Sequence, residues 1–333
     1  MVPKQIITNF LVSCLPVLRS FARPVRRGYH ALRASLLGRV PQWRLIGSKF
    51  HMYIDPNDWM DRAFYFGSYE QHLVNLVAAT VRTGDVCIDV GAQKGFITLH
   101  MADAVGPGGL VIAVEPDPRA MDVLRSNVRR NGFQNVRLYS CALGDCDGFC
   151  TFTLSHQLGW SSRFPNDLAK TAVATTISVP TRRLDDIIAE AGVAPGGHRI
   201  SFIKIDAEGS EPLVLQGAQE TLAKFRPTIH IEVNKPSLYA GGFTADSLQT
   251  MLRQLDYQFY AIRLRRKGGL RRRLFLIPIA SLTVDLGSCE DVLAISSPSS
   301  LPPIGKPKLT TELLRQPPPV HAYDPKTPSS ERL

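Results

Sequence analysis

VCIDVGAQKGFI, running from Val86 to Ile97, decides the fold. Val86–Val90 has the pattern of a strand covered on both faces, and it runs straight into a turn with glycines at 91 and 95. Strands that stop this way present a ligand-binding turn at the carboxyl edge of a parallel sheet. A dinucleotide loop needs G-x-G-x-x-G, because its second glycine lets the backbone approach a pyrophosphate. Counted from Gly91, that second position is Gln93 and the last is Phe96. No Gly-Lys-Ser/Thr sequence follows, so the turn is not a P-loop either. It is a G-x-x-x-G turn preceded by Asp89, and a phosphate ligand is disfavoured twice.

Around this stretch, strand and helix patterns alternate. Leu110–Val114 is a second apolar run, and Phe96–Ala104 between them has helical spacing and ends at the breaker Gly106–Gly109. Asp117–Asn131 reads as a second helix, stopped by Gly132. Val136–Tyr139, Ile200–Ile205 and Thr228–Val233 read as further strands. A single helix is expected from about Glu211 to Lys224, with Pro212 in its first turn. Phe149–Leu154 and Thr176–Val179 look like an inserted antiparallel pair. Gln258–Ile262, Arg273–Ile279 and Val292–Ile295 look like antiparallel closing strands. The expected architecture is a doubly wound α/β fold: a mostly parallel seven-stranded sheet with helices on both faces, an inserted β pair and a terminal β-hairpin.

The chain has 333 residues, 44% hydrophobic and 20% charged, as in soluble globular proteins. Its formal charge of +10 belongs to two patches. One is Met1–Phe50, with nine basic residues and no acid; the other runs from Arg263 to Arg273. Ile6–Leu18 is too short to span a bilayer and is interrupted by Pro16. The arm is expected to be partly helical, with peripheral contact to an anionic membrane as a separate expectation. The stretch from Ser297 onward is rich in Pro and Ser and reads as disordered. The chain thus divides into a basic arm (1–45), an α/β domain (46–297) and a tail (298–333). Six cysteines without a CxxC pair read as free thiols of a reducing cytoplasm, not as a metal cluster.

Glu115 closes the second strand in VIAVEPDP, where a carboxylate can accept both hydroxyls of a ribose. Asp89, at the end of the first, can serve an ammonium group. A ribose and an amino acid without phosphate describe S-adenosylmethionine. The chain from about Met52 to Ser296 resembles the FkbM-type S-adenosylmethionine-dependent methyltransferases. The residues that carry the resemblance are MYIDPNDWMDRAFYFGSYE (52–70), GDVCIDVGAQKGFIT (84–98), AVEPDP (113–118) and SNVRRNG (126–132), followed by ALGDCDG (142–148), VPTRRLDDI (179–187), IKIDAEGSEPLVLQGA (203–218) and HIEVN (230–234). Gln93 stands where the family usually has Asn, which keeps a side-chain amide. The resemblance implies a class I methyltransferase fold, with Asp89, Gly91, Gln93, Gly95 and Glu115 lining the cofactor and Glu70 near its methionine end. Asp145 is a candidate for the adenine amino group, or a plain turn residue.

Methyl transfer is an in-line displacement that must align donor and acceptor and take a proton from a hydroxyl nucleophile. IKIDAEG places Asp206 at a strand end, with Glu208 in the following turn, and these two are the expected reaction-centre carboxylates. An ordinary carboxyl is too weak a base, so a perturbed environment or a helper is required, and His230 is the candidate helper. His230 and Glu232 share a strand face. Glu211 has a sufficient role at a helix start, and Lys204 is expected to pair with a carboxylate. Asp206 and Glu232 could hold a divalent metal, but nothing in the spacing requires one and none is expected. Trp160, in the insertion HQLGWSSRF, can stack on a sugar face or pack under its loop. The expected activity is O-methylation of a hydroxyl on a sugar, glycan or other small metabolite. The rivals are an RNA-binding or RNA-modifying enzyme using the basic patches and a noncatalytic relative of the fold. No specific nucleic-acid partner is expected, since the motif typical of base amino methylation is missing.

Overall fold

A computed structural model describes residues 37–156, 158–166, 173–266 and 272–296. The expectations for the basic arm before residue 37, for part of the second basic run and for the Pro-rich tail lie outside the described residues.

The first elements are a hairpin that the sequence patterning does not announce, β1 (Gln42–Ile46) and β2 (Phe50–Ile54), followed by α1 (Trp59–Tyr65) and α2 (Gln71–Thr80). Strand β3 (Val86–Val90) is buried along its whole length and leads into α3 (Phe96–Val105), β4 (Leu110–Val114), α4 (Pro118–Arg130) and β5 (Val136–Tyr139). The inserted pair exists and is longer than expected. It is β7 (Gly148–Ser155) and β8 (Val173–Arg182), and β6 (Ala142–Leu143) joins it in a small separate three-stranded sheet in the order β6-β8-β7. Next come α5 (Leu184–Glu190), β9 (Ile200–Ile205), α6 (Glu211–Gln216), α7 (Gln219–Phe225), β10 (Thr228–Asn234), α8 (Lys235–Ala240) and α9 (Ala245–Arg253). The last elements are β11 (Gln258–Arg266), β12 (Arg272–Ile279) and β13 (Cys289–Ile295).

The main sheet has eight strands in the order β12-β11-β13-β10-β9-β3-β4-β5, one more than the seven expected. The doubly wound class stands; the extra strand arises because all three closing segments join the sheet, with β13 slotted between β10 and β11. β9, β10, β3, β4 and β5 run parallel, and β13, β11 and β12 each pair antiparallel with their neighbours. The chain winds outward from β3 through β5, then returns to the other side of β3 to lay down β9 and β10. The direction of winding therefore reverses between β3 and β9, and a crevice opens beyond their carboxyl ends. Side chains alternate between two cores. Ile88, Ile203, Ile229 and Ile231 pack on α5, α6, α7 and α9, while Cys87, Val111, Ala113 and Phe202 pack on α2, α3 and α4.

Two motifs that carried the family resemblance act here as fasteners. Asn127 on α4 accepts the Tyr53 N–H at 2.9 Å and donates to the Lys94 carbonyl at 2.8 Å, and Asn131 accepts the His51 N–H at 2.8 Å. SNVRRNG thus ties the β1–β2 hairpin to the turn after β3. The helix expected over 211–224 is broken at Gly217, which packs so closely on the Gly144 carbonyl oxygen that a side chain there would collide with it. The break lets α7 begin against α5. Asp185 accepts the Thr221 N–H at 2.8 Å, its hydroxyl at 2.7 Å and the Glu220 N–H at 3.1 Å, satisfying donors that open α7. Asp185→Ala leaves these donors in an apolar interface, so urea denaturation should show a loss of about 2–4 kcal/mol. Asp186→Ala, one residue on, half-buried and without a hydrogen bond to α7, should change stability by less than about 0.5 kcal/mol.

Candidate functional site

The crevice between β3 and β9 is built around a buried ammonium. Lys204 sits on β9 with its Nζ 3.3 Å from Asp206 Oδ2 and 3.7 Å from Asp89 Oδ1, and it donates to the Gly91 carbonyl at 2.9 Å. It is 4% exposed. The expected pairing of Lys204 with a carboxylate is therefore present twice. Asp89 is fully buried; its Oδ2 accepts the Thr98 hydroxyl at 2.6 Å, and its Oδ1 makes no hydrogen bond. Burial raises the Asp89 carboxyl above its usual range, against the pull of Lys204.

Both glycines of the turn have packing reasons. Gly91 has φ +70°, and a side chain on it would strike the Asp206 carbonyl oxygen; one on Gly95, at φ +88°, would strike Leu124 of α4. Gln93 is also left-handed, at φ 51°. Its backbone N–H donates to Glu115 Oε2 at 2.7 Å, and its side-chain amide nitrogen is buried without a partner. Glu115 Oε1 accepts the Asp117 N–H at 2.8 Å. Each oxygen of Glu115 keeps a second lone pair, so the carboxylate can still accept two hydroxyls. Burial pushes its carboxyl up to about 7. Lys94 turns away from the crevice and pairs at 2.7 Å with both Asp58 and Asp61, pinning α1 behind the turn.

On the far side of Lys204, Asp206, Glu208 and Glu232 bring carboxylate oxygens within 4.8 Å of one another. Glu208 is held in the left-handed region at φ 49°, and the following Gly209, at φ +98°, packs its backbone against Ser237 of α8. Glu211 has a larger role than complementing the dipole of α6. Its carboxylate accepts the Ala207 N–H at 2.9 Å and the Gly209 N–H at 3.1 Å, which fixes the Asp206–Gly209 turn from behind. Burial raises Glu211 to about 7; burial, with the nearby charges of Asp206 and Glu211, raises Glu208 well above an ordinary carboxylate. Glu70, left-handed at φ 38° before α2, closes the crevice with an unpartnered Oε2 beside Tyr69.

The insertion after β7 covers the turn. Ser162 Oγ donates to the Glu208 carbonyl at 3.1 Å, and Ser161 Oγ donates to Asp117 Oδ2 at 2.8 Å. Gly159 lies against Met60 and close to the Gln93 amide, so the half-buried Trp160 is held next to the glycine turn. Two candidates fall elsewhere. Asp145 is exposed in the turn after β6, its Oδ1 accepting the Cys146 thiol at 3.7 Å, and among the described residues it bonds none of the other candidates. His230 shares a strand face with Glu232 as expected, but its close partners are Asp291 and His72. The sequence did not single out Tyr69, His72, Lys94, Asp117 or Asp291. Asp117 had a visible signal, the position before Pro118 at a helix start; His72 and Asp291 had none.

The residues fit S-adenosylmethionine: spare acceptors on Glu115 for a ribose, the unpartnered Oε2 of Glu70 and the non-hydrogen-bonded Oδ1 of Asp89 for an ammonium, and uncapped N–H groups at the start of α3 for a carboxylate. A family model described as the Methyltransferase FkbM domain matches residues 89–259. The 2-O-methyltransferase NoeI of Sinorhizobium fredii is 32% identical over 50% of this chain and 70% of its own length. Methyltransferase 1 of Beauveria bassiana is 27% identical over 40% of this chain and 58% of its own. Among solved structures, methyltransferase FkbM from Methylobacillus flagellatus aligns with 81% of this chain and 59% of its own at 16% identity, with a TM-score of 0.35.

A carboxyl raised by burial makes stability depend on pH. Glu115 keeps its proton to about 7 when folded and loses it near 4.5 when unfolded. Its burial therefore costs nothing below pH 4.5, and stability falls as pH rises from there to about 7, on the order of 3 kcal/mol in all. Glu115→Gln should show a shallower fall in ligand-free stability between pH 5 and 7 by thermal or urea unfolding.

Proposed function

Because the chain belongs to the FkbM domain family and is a methyltransferase, we propose that it moves the methyl group of S-adenosylmethionine to a hydroxyl oxygen of a sugar, glycan or other small metabolite. The observation that carries this reading is the convergence of Asp206, Glu208 and Glu232 directly across Lys204 from the glycine turn. It sets acids for an acceptor beside acids for a cationic donor. The 2-O-methyltransferase among the relatives supports oxygen as the accepting atom.

When bound, the donor supplies a methyl group on a positively charged sulfur, which leaves as a neutral thioether. The chain's residues do the rest. Glu115 accepts the ribose hydroxyls, Gln93 offers its free amide beside it, and Asp89 and Glu70 face the ammonium. Asp206, held by Lys204, orients the acceptor hydroxyl through an accepted hydrogen bond, and Glu208 takes its proton as the new carbon–oxygen bond forms. A carboxylate raised by burial and like charge is a stronger base near neutral pH than an ordinary one, which supplies what the unperturbed side chain lacks. Trp160, over the turn, offers an aromatic face to a flat acceptor.

Calorimetry with S-adenosylmethionine should show a single site that Glu115→Ala abolishes, while NAD should not bind; absence of donor binding removes the reading. Incubation with the donor and candidate glycosides, read by mass spectrometry, identifies the acceptor. With it in hand, Glu208→Gln should lower kcat by roughly 10²–10⁴ with donor affinity unchanged. The wild-type rate should rise with pH through the neutral range as Glu208 loses its proton, and in Glu208→Gln that rise should disappear.

A further inference from the structure

Along β10, His230 precedes Glu232 on one face, and β13 sets Asp291 directly opposite Glu232. His72, near the start of α2, completes a group of three. Its Nε2 lies 2.9 Å from Asp291 Oδ2, and the Nε2 of His230 lies 3.3 Å from Asp291 Oδ1. Each oxygen of Asp291 thus faces one imidazole nitrogen, and Nδ1 of His230 has no partner. His230 is 2% exposed, so its bare nitrogen is not left to solvent. Two imidazole nitrogens converging on one carboxylate, one of them on a buried histidine, form a ligand set that a shared metal ion can occupy. With bonds of about 2.0–2.2 Å, two ligands at right or tetrahedral angles stand about 2.8–3.6 Å apart. All three ligand atoms fall within 4.8 Å of one another.

We propose that His72, His230 and Asp291 bind one first-row divalent cation of the zinc and manganese class beside the acceptor crevice. Two imidazoles and one carboxylate favour such an ion over magnesium or calcium, which prefer all-oxygen sites. Three protein ligands leave a coordination position open. The neighbouring Glu232, with an unpartnered Oε2, reaches from this group toward Asp206 and Glu208. An acceptor hydroxyl bound at the open position gives up its proton more readily. That role rests on the proposed methyl transfer; the existence of the site does not.

Cobalt(II) added to the untagged full chain, without donor or acceptor, provides the probe. We expect one equivalent to bind with visible absorption bands of a nitrogen-ligated ion. His72→Ala should weaken binding roughly tenfold or more, and His198→Ala, at an exposed histidine, should leave it unchanged. His72 is the informative position because His230 is buried, and its loss risks the fold. Calorimetry with S-adenosylmethionine on His72→Ala keeps the two readings apart, since donor binding should survive there. The proposal is overturned if no cobalt binds at micromolar concentration, or if His72→Ala binds like the wild type. It is also overturned if Asp206→Asn abolishes binding and His72→Ala does not, which would assign the ion to the three carboxylates instead.

Discussion

Lys204 is the charge on which the site depends. The sheet reverses its winding between β3 and β9, and each of these strands delivers a carboxylate to the same crevice, Asp89 from one and Asp206 from the other. Two such acids in a dry cleft repel each other and are costly to ionise. The Lys204 ammonium lies between them and also holds the Gly91 carbonyl, so one side chain neutralises the seam and locks the glycine turn to the Asp206–Gly209 turn. The backbone contact between Gly91 and Asp206 depends on that closure, and it is why position 91 tolerates no side chain.

One cation does not balance the crevice. Asp89, Asp206, Glu208, Glu232 and Glu70 surround it, and burial holds Glu70, Glu208 and Glu232 above ordinary carboxyl values. The neutral form of these acids is the cheap one in an empty cleft. An arriving cation makes the charged form favourable, so the site exchanges protons for positive charge. This suits a sulfonium donor and disfavours phosphorylated ligands, in agreement with the missing pyrophosphate signature of the turn.

The parts of the fold that could be read from sequence are those fixed by local covering. β3 and β4 fall at the expected residues because a strand covered on both faces is a nearly continuous apolar run with sharp ends. The break between α6 and α7 depends on Gly217 meeting Gly144, a contact between distant segments that no local pattern carries. The β1–β2 hairpin escaped notice because β1 has no clear alternation, with Gln42 and Arg44 on the face of Ile46, and its anchoring comes from Asn127 and Asn131 much later in the chain. Within the site, Asp89, Glu115, Asp206 and Glu232 were legible as acids at strand ends. His72 and Asp291 were not, because they meet only when β13 settles beside β10. Motif membership did not separate the two kinds of residue: SNVRRNG and RRLDDI act as fasteners, while IKIDAEG brings Lys204, Asp206 and Glu208 to the crevice.

The slotting of β13 between β10 and β11 has a consequence for biosynthesis. A chain emerging from the ribosome makes β10 and the β11–β12 hairpin first, yet these cannot lie next to each other until residues 289–295 arrive to pair with both. The nascent sheet therefore carries an open gap flanked by two unpaired strand edges, the kind of surface that chaperones cover. Asp291 travels on the strand that closes it, so the acidic pocket is assembled after translation of nearly the whole domain, and a prematurely terminated product is both incomplete and sticky.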